Sequence, residues 1–115
     1  MDLPTEEQEQ AVFVEWLRLN GIPHWRTPNE TYTKSWKQKR KNKMLGVSAG
    51  VPDLFCIVCN GQKLIAIEMK RQKGGVLSPA QKEWLGRLQT AGVDSFVARG
   101  AVEAIQIIKK VEQNS

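Results

Sequence analysis

Two carboxylates and one lysine stand out in the sequence because their spacing brings three functional groups together. Asp53 precedes one apolar run, and Glu68 and Lys70 lie at the end of the next. Asn60-Gly61, between the runs, predicts a two-residue type I′ hairpin turn. In that register Asp53 lies directly opposite Glu68, and opposite residues of an antiparallel pair share a face, with Cβ atoms about 4.5–5.5 Å apart. Lys70 follows two positions after Glu68 and therefore points to the same face.

This arrangement has an electrostatic problem that a metal ion would solve. Two carboxylates held face to face repel each other, and burial among apolar strands makes the repulsion stronger. Mg²⁺ typically binds one or two carboxylates, several waters and a substrate phosphate, and it lowers the pKa of a bound water. Lys70 then has a role in orienting or deprotonating that water, or in stabilising the developing oxyanion. The alternative is a structural ion pair between Lys70 and one acid, but the shared face, the apolar strands and a nearby basic segment favour catalysis.

The positive charge of the chain is concentrated in that basic segment. The sequence has 17 Lys and Arg against 12 Asp and Glu, a net charge of +5, which favours a polyanionic partner. Residues 28–50 are polar and lack clear periodicity, so we expect a long loop that is either functional or partly mobile. The middle of this segment holds several Lys and Arg residues and no acid. This favours DNA binding over a merely solvated loop, because bound phosphates would relieve the repulsion between the cations. The candidate DNA-binding residues are Lys34, Lys37, Lys39, Arg40, Lys41 and Lys43.

The first helix is predicted by a capping box in which Thr5 is the N-cap and Gln8 is its partner. Its apolar side chains fall on one side at helical spacing. Glu9 lies near the middle of this apolar arc, and Glu6 and Gln10 lie at its edge. An acid in line with the buried face is unusual, although its position near the positive end of the helix dipole is favourable in itself. The predicted inward-facing residues are Val12, Phe13, Trp16, Leu17 and Leu19.

The rest of the chain alternates predicted strands and helices, which indicates an α/β (α+β) domain with a mixed sheet flanked by helices. The strands are Ile22–Arg26, Leu54–Val58, Leu64–Met69 and Val93–Ala98, and the helices run from Ser78 to Gly92 and over Ala101–Val111. Both hairpin strands are apolar at nearly every position, so they should be central in the sheet. Ser78 and Gln81 form a second capping box. The last helix is expected to bury Val102, Ile105, Ile108 and Val111.

Length, hydropathy and cysteines narrow the class of protein further. At 115 residues, 41% of them hydrophobic, the chain is expected to form one domain over 1–115. No apolar run reaches the ~20 residues of a membrane span, and the acidic, polar start is unlike a signal peptide, so we expect a cytoplasmic protein. Cys56 and Cys59 lie on a predicted strand with diverging side chains, so we expect two small hydrophobic residues rather than a redox or zinc site.

Together these residues resemble the PD-(D/E)XK nuclease motif, and more narrowly the chain is similar to VRR-NUC domains. The segments that carry the resemblance are Gly50-Val-Pro-Asp-Leu54, Ile65-Ala-Ile-Glu-Met-Lys70 and Leu77-Ser-Pro-Ala-Gln81. The resemblance implies an α-β-β-β-α-β core and Mg²⁺- or Mn²⁺-dependent phosphodiester hydrolysis. It assigns Asp53 and Glu68 as metal ligands, with the Met69 backbone carbonyl as a further one, and Lys70 as the catalytic lysine.

An acid from the first helix usually completes such sites, and two candidates stay open in this sequence. Glu6 fits the spacing of the family and is placed first, whereas Glu9 fits the helical-wheel argument. Gln10 and Gln81 are expected near the site, and Gln81 also caps its own helix.

Stand-alone domains of this kind resemble phage-type proteins, which implies structure-selective cleavage of branched DNA such as four-way (Holliday) junctions, in the cytoplasm of a bacterial host. Symmetric cuts call for a homodimer, with candidate interface residues among Trp25, Trp36 and the last helix. The alternatives are an end-processing or restriction-type DNA nuclease, and a catalytically inactive DNA-binding module of the same fold. The sequence shows no obvious recognition module and retains both acids and the lysine, so it favours the structure-selective nuclease.

Overall fold

The computed structural model describes residues 2–28 and 35–114, which form four helices and one four-stranded sheet. In chain order the elements are α1 (Glu6–Leu19), β1 (His24–Arg26), α2 (Trp36–Met44), β2 (Leu54–Val58), β3 (Lys63–Lys70), α3 (Pro79–Thr90), β4 (Asp94–Arg99) and α4 (Ala101–Gln113). The strands lie side by side in the order β1-β2-β3-β4, with β3 and β4 parallel and the other pairs antiparallel. The predicted mixed sheet with flanking helices is therefore confirmed.

The hairpin of β2 and β3 has the register that the sequence predicts. Leu54 pairs with Ile67 and Val58 pairs with Lys63, so β2 and β3 are both central strands. Asn60 and Gly61 have φ values of +55° and +83°, the left-handed conformation that a type I′ turn requires. At the open end of the hairpin, one residue beyond the last pair, Asp53 and Glu68 come to lie across from each other.

The hydrophobic core lies between one face of the sheet and the helices α1 and α4. Its members alternate along β2, where buried Leu54, Cys56 and Val58 are separated by half-buried residues. Phe13 and Leu17 of α1 are fully buried against them, and each contributes about 1.5–3 kcal/mol to stability. Helix α3 lies on the opposite face. The Ser95 hydroxyl of β4 donates a hydrogen bond of 2.8 Å to the backbone carbonyl of Leu85.

Both cysteines carry free thiols. Cys56 is buried in the core, and burial raises the pKa of its thiol to about 12, which makes it the small hydrophobic residue that was predicted. Cys59 lies after the end of β2 rather than within the strand, and it is half-buried.

One predicted element and part of the predicted core were wrong. The segment 28–50 was predicted as a loop, but Ser35 caps the helix α2, with its hydroxyl accepting a hydrogen bond of 3.2 Å from the Gln38 amide. No residue of α2 is buried, so the helix has no apolar face that a periodicity argument would detect.

Val102 was predicted to face inward and is 71% exposed, because α4 turns Ala101, Ala104 and Ile108 to the core instead. The small alanines allow a close approach of α4 to the sheet.

Two apolar residues of α1 that were predicted to face inward, Val12 and Leu19, are likewise exposed.

Of the helices in the described part of the chain, none combines the length and the hydropathy that crossing a membrane requires.

Candidate active site

Three carboxylates converge where the open end of the hairpin meets the start of α1. Glu6, Asp53 and Glu68 each offer an oxygen, and these oxygens lie within 4.8 Å of one another. Glu68 lies in β3 and is almost completely buried, whereas Glu6 and Asp53 are half-buried. Three converging carboxylate oxygens form the kind of donor set that hard divalent cations such as Mg²⁺ or Mn²⁺ bind.

The electrostatics of the three carboxylates show that the cluster lacks positive charge. Burial, followed by the charge and the hydrogen bond of Asp53, raises the pKa of Glu68 to about 9 against the opposing effect of Lys70. Burial also raises the pKa of Glu6, which Lys70 lowers and Asp53 raises. A divalent cation would compensate the ionised acids where the single ammonium of Lys70 does not, so the donor set fits a metal by charge as well as by atom type.

Lys70 is buried beside the cluster without being bound tightly by it. Its Nζ lies 3.0 Å from Oε1 of Gln81 and 4.0 Å from Oε2 of Glu68. The longer distance is the outer limit of an ion pair and too long for a hydrogen bond. The ammonium is therefore held in place by an amide, and a tight structural ion pair with Glu68 does not account for it.

Gln81 joins the start of α3 to the site. Its Oε1 accepts a hydrogen bond of 2.9 Å from the backbone amide of Ser78, which completes the predicted capping box. The same oxygen accepts the bond from Lys70, and Nε2 donates to Oε2 of Glu68 at 3.2 Å. The capping role and the contact with the site were both predicted, and one side chain performs both.

Hydrogen bonds from the backbone amides of β3 on one side and of the residue after β1 on the other hold Asp53 in place. Its Oδ2 accepts a hydrogen bond of 2.8 Å from the backbone amide of Met69. The amide of Thr27, just after β1, donates to the Asp53 carbonyl at 3.0 Å, and the Thr27 hydroxyl donates to the Pro52 carbonyl at 2.6 Å. Asp53 therefore keeps its place although it lies one residue outside β2.

Glu9, the other candidate from α1, lies outside the carboxylate cluster. It is only 6% exposed, and its Oε2 accepts a hydrogen bond of 2.9 Å from Gln72. Its Oε1 accepts from the amide of Ala101 at 3.3 Å, at the start of α4, where the N-cap Gly100 has no side chain to do so. The helical wheel correctly placed Glu9 inward, but inward at this turn of α1 means toward α4, and the structure brings Glu6 to Asp53 instead.

Two open cavities meet at Asp53 and Glu6, which line both of them. One, of about 550 Å³, also contains Glu68, Lys70 and Gln81 in its wall, together with Lys39 of α2. The other, of about 790 Å³, has Gln10 in its wall, so the structure places this residue near the cluster.

The predicted DNA-binding cations take up different positions. Lys39 is the member that lines the cavity of the carboxylates, and Lys34 lies outside the described residues. The remaining four are exposed on α2, namely Lys37, Arg40, Lys41 and Lys43.

Arg99, at the end of β4, is a residue of this region that the sequence did not reveal. Its guanidinium donates hydrogen bonds of 2.6 Å to the Gly74 carbonyl and 3.0 Å to the Gly75 carbonyl, and so holds the segment that follows Lys70. Arg99 pairs with Lys70 in the parallel register of β3 and β4. A parallel pairing leaves no local turn signal in the sequence, so no pattern pointed to this contact.

Comparison with known proteins decides the family of this fold and site. The sequence profile of the VRR-NUC domain matches residues 4–102. The chain belongs to the VRR-NUC domain family. A solved structure of a VRR-NUC domain protein superposes with a TM-score of 0.74 at 26% sequence identity, covering 94% of this chain and 88% of the other. No curated protein sequence matches significantly. The resemblance stated from the sequence is confirmed, and this VRR-NUC domain is a member of a nuclease family with its carboxylate cluster inside the matched segment.

Proposed function

We propose that this VRR-NUC domain is a divalent-metal-dependent endonuclease that hydrolyses phosphodiester bonds in DNA. The observation that carries the proposal is the convergence of Glu6, Asp53 and Glu68 within 4.8 Å, beside the buried ammonium of Lys70. Membership of a nuclease family and the basic surface of α2 support the same activity.

In this proposal the three carboxylates hold Mg²⁺ or Mn²⁺, with the backbone carbonyl of Met69 as a further ligand. A bound divalent cation supplies a coordinated water of lowered pKa and offsets the negative charge of the phosphate. The protein keeps these acids close together in a partly buried place, where a bound cation would offset the repulsion between ionised carboxylates.

Lys70 acts on the reacting groups in the proposed reaction. Hydrolysis forms a bond between a water oxygen and phosphorus and breaks the bond from phosphorus to one sugar oxygen. An ammonium that Gln81 holds at 3.0 Å is placed to orient the attacking water and to stabilise the additional negative charge on the phosphate oxygens. Such preorganised donors contribute most where their surroundings are largely desolvated, and Lys70 is only 7% exposed.

The proposed substrate is branched DNA such as a four-way junction. The exposed cations of α2 suit the phosphate backbone, and Lys39 reaches the cavity of the carboxylates. Two symmetric cuts in one junction require two active sites, so we propose a homodimer. Trp36, 85% exposed on α2, and Val102 on the outer face of α4 are apolar residues available for such an interface.

Cleavage assays test this proposal directly. A labelled four-way junction, a flap and a plain duplex are incubated with the protein in Mg²⁺, Mn²⁺ or EDTA. We expect metal-dependent cutting of branched DNA, and its loss in the near-isosteric variants Glu6→Gln, Asp53→Asn and Glu68→Gln. Glu7→Gln, one position from Glu6 and exposed, is the matched control.

Each alternative function predicts a different result in the same assay. Cutting that persists in EDTA contradicts the metal mechanism, and equal cutting of duplex and junction favours an end-processing or restriction-type nuclease. Binding without cleavage in either metal favours an inactive DNA-binding module.

A further inference from the structure

A stacked aromatic pair lies on the edge of the sheet beside the carboxylate cluster. Trp25 of β1 pairs with Phe55 of β2 in the strand register, and their ring centroids are 5.0 Å apart with planes inclined by only 5°. Phe55 is half-buried, whereas Trp25 remains 47% exposed. Phe55 therefore covers one face of the indole and holds it flat, while a large part of the indole is open to solvent.

The position of Trp25 relates it to the proposed chemistry. It lines the same cavity of about 790 Å³ as Glu6 and Asp53. Phe55, which carries the indole, is two residues from Asp53 along the chain, a distance of about 7 Å in an extended strand. The indole lies a further 5.0 Å from the Phe55 ring. Since nucleotides in a stacked DNA strand advance about 3.4 Å each, the indole is within about four nucleotides of a phosphate bound at the carboxylates.

The chemistry of this cavity wall suits a nucleobase. Arg26 follows Trp25 in β1, is exposed and lines the same cavity, so a cation is available there for a phosphate of the strand, beside the acids Glu6, Glu7 and Asp53. Aromatic side chains beside cations are the usual platform for bases of single-stranded DNA. Because Phe55 already fixes the ring plane, little side-chain freedom is lost when a base stacks on it.

We propose that Trp25 stacks on an unpaired base of the DNA strand close to the scissile phosphate. The proposal rests on the proposed function and narrows its substrate class. A base inside an intact duplex is stacked on both sides and offers no free face, whereas a base at a branch point, flap or bulge does. Trp25 is thus a specificity-determining residue that selects DNA with an unpaired nucleotide beside the cut.

The test measures binding in EDTA, so that it does not depend on cleavage. Two duplexes of equal length and sequence are compared, one fully paired and one with a single bulged nucleotide. We expect Trp25→Leu to weaken binding of the bulged duplex by roughly 5- to 150-fold, the loss of one base stack, and to change binding of the paired duplex little. Trp25→Phe retains an aromatic ring and should restore most of the affinity.

A second readout reports the stack itself. The fluorescent base analogue 2-aminopurine at the bulged position should be quenched on binding of the wild-type protein and of Trp25→Phe, but not of Trp25→Leu. Equal weakening of both duplexes by Trp25→Leu, or unchanged quenching, overturns the proposal. Conversion of a dimer to a monomer by Trp25→Leu in sedimentation also overturns it, because Trp25 would then belong to an interface between copies. Failure of cleavage with quenching intact would contradict the proposed function and leave the stack supported.

Discussion

Replacing the buried acid Glu68 by a neutral glutamine should stabilise the metal-free protein near pH 7. Glu68 is almost completely buried, and burial, followed by the effect of Asp53, raises its pKa from 4.5 to about 9. A raised pKa means that the fold favours the protonated acid. The stabilising contribution is therefore fully present below pH 4.5 and is lost as the pH rises toward 9. Glu68→Gln keeps the size and an acceptor oxygen for Gln81 but carries no charge at any pH.

The size of the effect follows from the interval between the two pKa values. While Glu68 stays protonated in the fold and is ionised in the unfolded chain, each pH unit costs about 1.4 kcal/mol of folding stability. From pH 4.5 to pH 7 the loss is about 3 kcal/mol, or about 10 °C in Tm for a domain of this size. We expect Glu68→Gln to exceed the wild type by about this free energy at pH 7 in EDTA and to match it near pH 4.

Urea denaturation followed by circular dichroism measures the difference, at both pH values and with EDTA or Mg²⁺. Mg²⁺ should stabilise the wild type, because it binds the folded cluster, and should stabilise Glu68→Gln much less. Glu15→Gln, which alters an exposed acid on the far side of α1, is the control. A Glu68→Gln protein less stable than the wild type at pH 7 in EDTA would refute the reasoning, as would a difference that does not grow with pH.

Three further predictions concern the surroundings of the site. Glu9→Ala removes the buried cap of α4 and should lower the free energy of unfolding by about 1–3 kcal/mol; a urea titration that shows no greater loss than for Glu15→Ala contradicts this role. Gly50→Ala places a Cβ 2.6 Å from the backbone of α3 and should lower both Tm and nuclease activity. Gly46→Ala is the matched control for backbone strain alone, because Gly46 has the same φ of +89° and open space around it. Equal losses in the two variants would exclude the close contact as the cause. The triple variant Lys39→Gln, Arg40→Gln and Lys41→Gln neutralises three cations of α2. It should weaken DNA binding and flatten the slope of log K against log salt by about 3 if each cation contacts a phosphate. An unchanged slope would show that these cations do not contact DNA.

Much of the fold could be predicted from local signals. The Asn60-Gly61 turn set the register of the hairpin, and both capping boxes, at Thr5 and Ser78, formed as predicted. These signals work because each is complete within a few residues. Helix α2 went undetected for the opposite reason, since none of its residues is buried and no apolar period marks it.

Features that depend on distant pairing could not be derived from the sequence in the same way. The choice between Glu6 and Glu9 depended on where α4 begins, because Glu9 is drawn to the amide of Ala101. The stack of Trp25 on Phe55 depends on the pairing of β1 with β2 across 29 intervening positions, from 26 to 54, that include all of α2. The sequence offered Trp25 as an interface candidate, and only the structure showed that it lines a cavity together with Glu6 and Asp53.

The side-chain amide of Gln81 also has a fixed direction. Its oxygen is committed to the amide of Ser78, so its nitrogen must face Glu68 and its oxygen must face Lys70. An amide presented in this sense donates to the carboxyl group of Glu68 and accepts from the ammonium of Lys70, so its orientation suits both partners at once. The first turn of α3 thereby fixes the direction of an amide that contacts two residues of the site. A glutamate at position 81 would have nearly the same size, but it would present an acceptor oxygen to Glu68 in place of the donor nitrogen of Gln81.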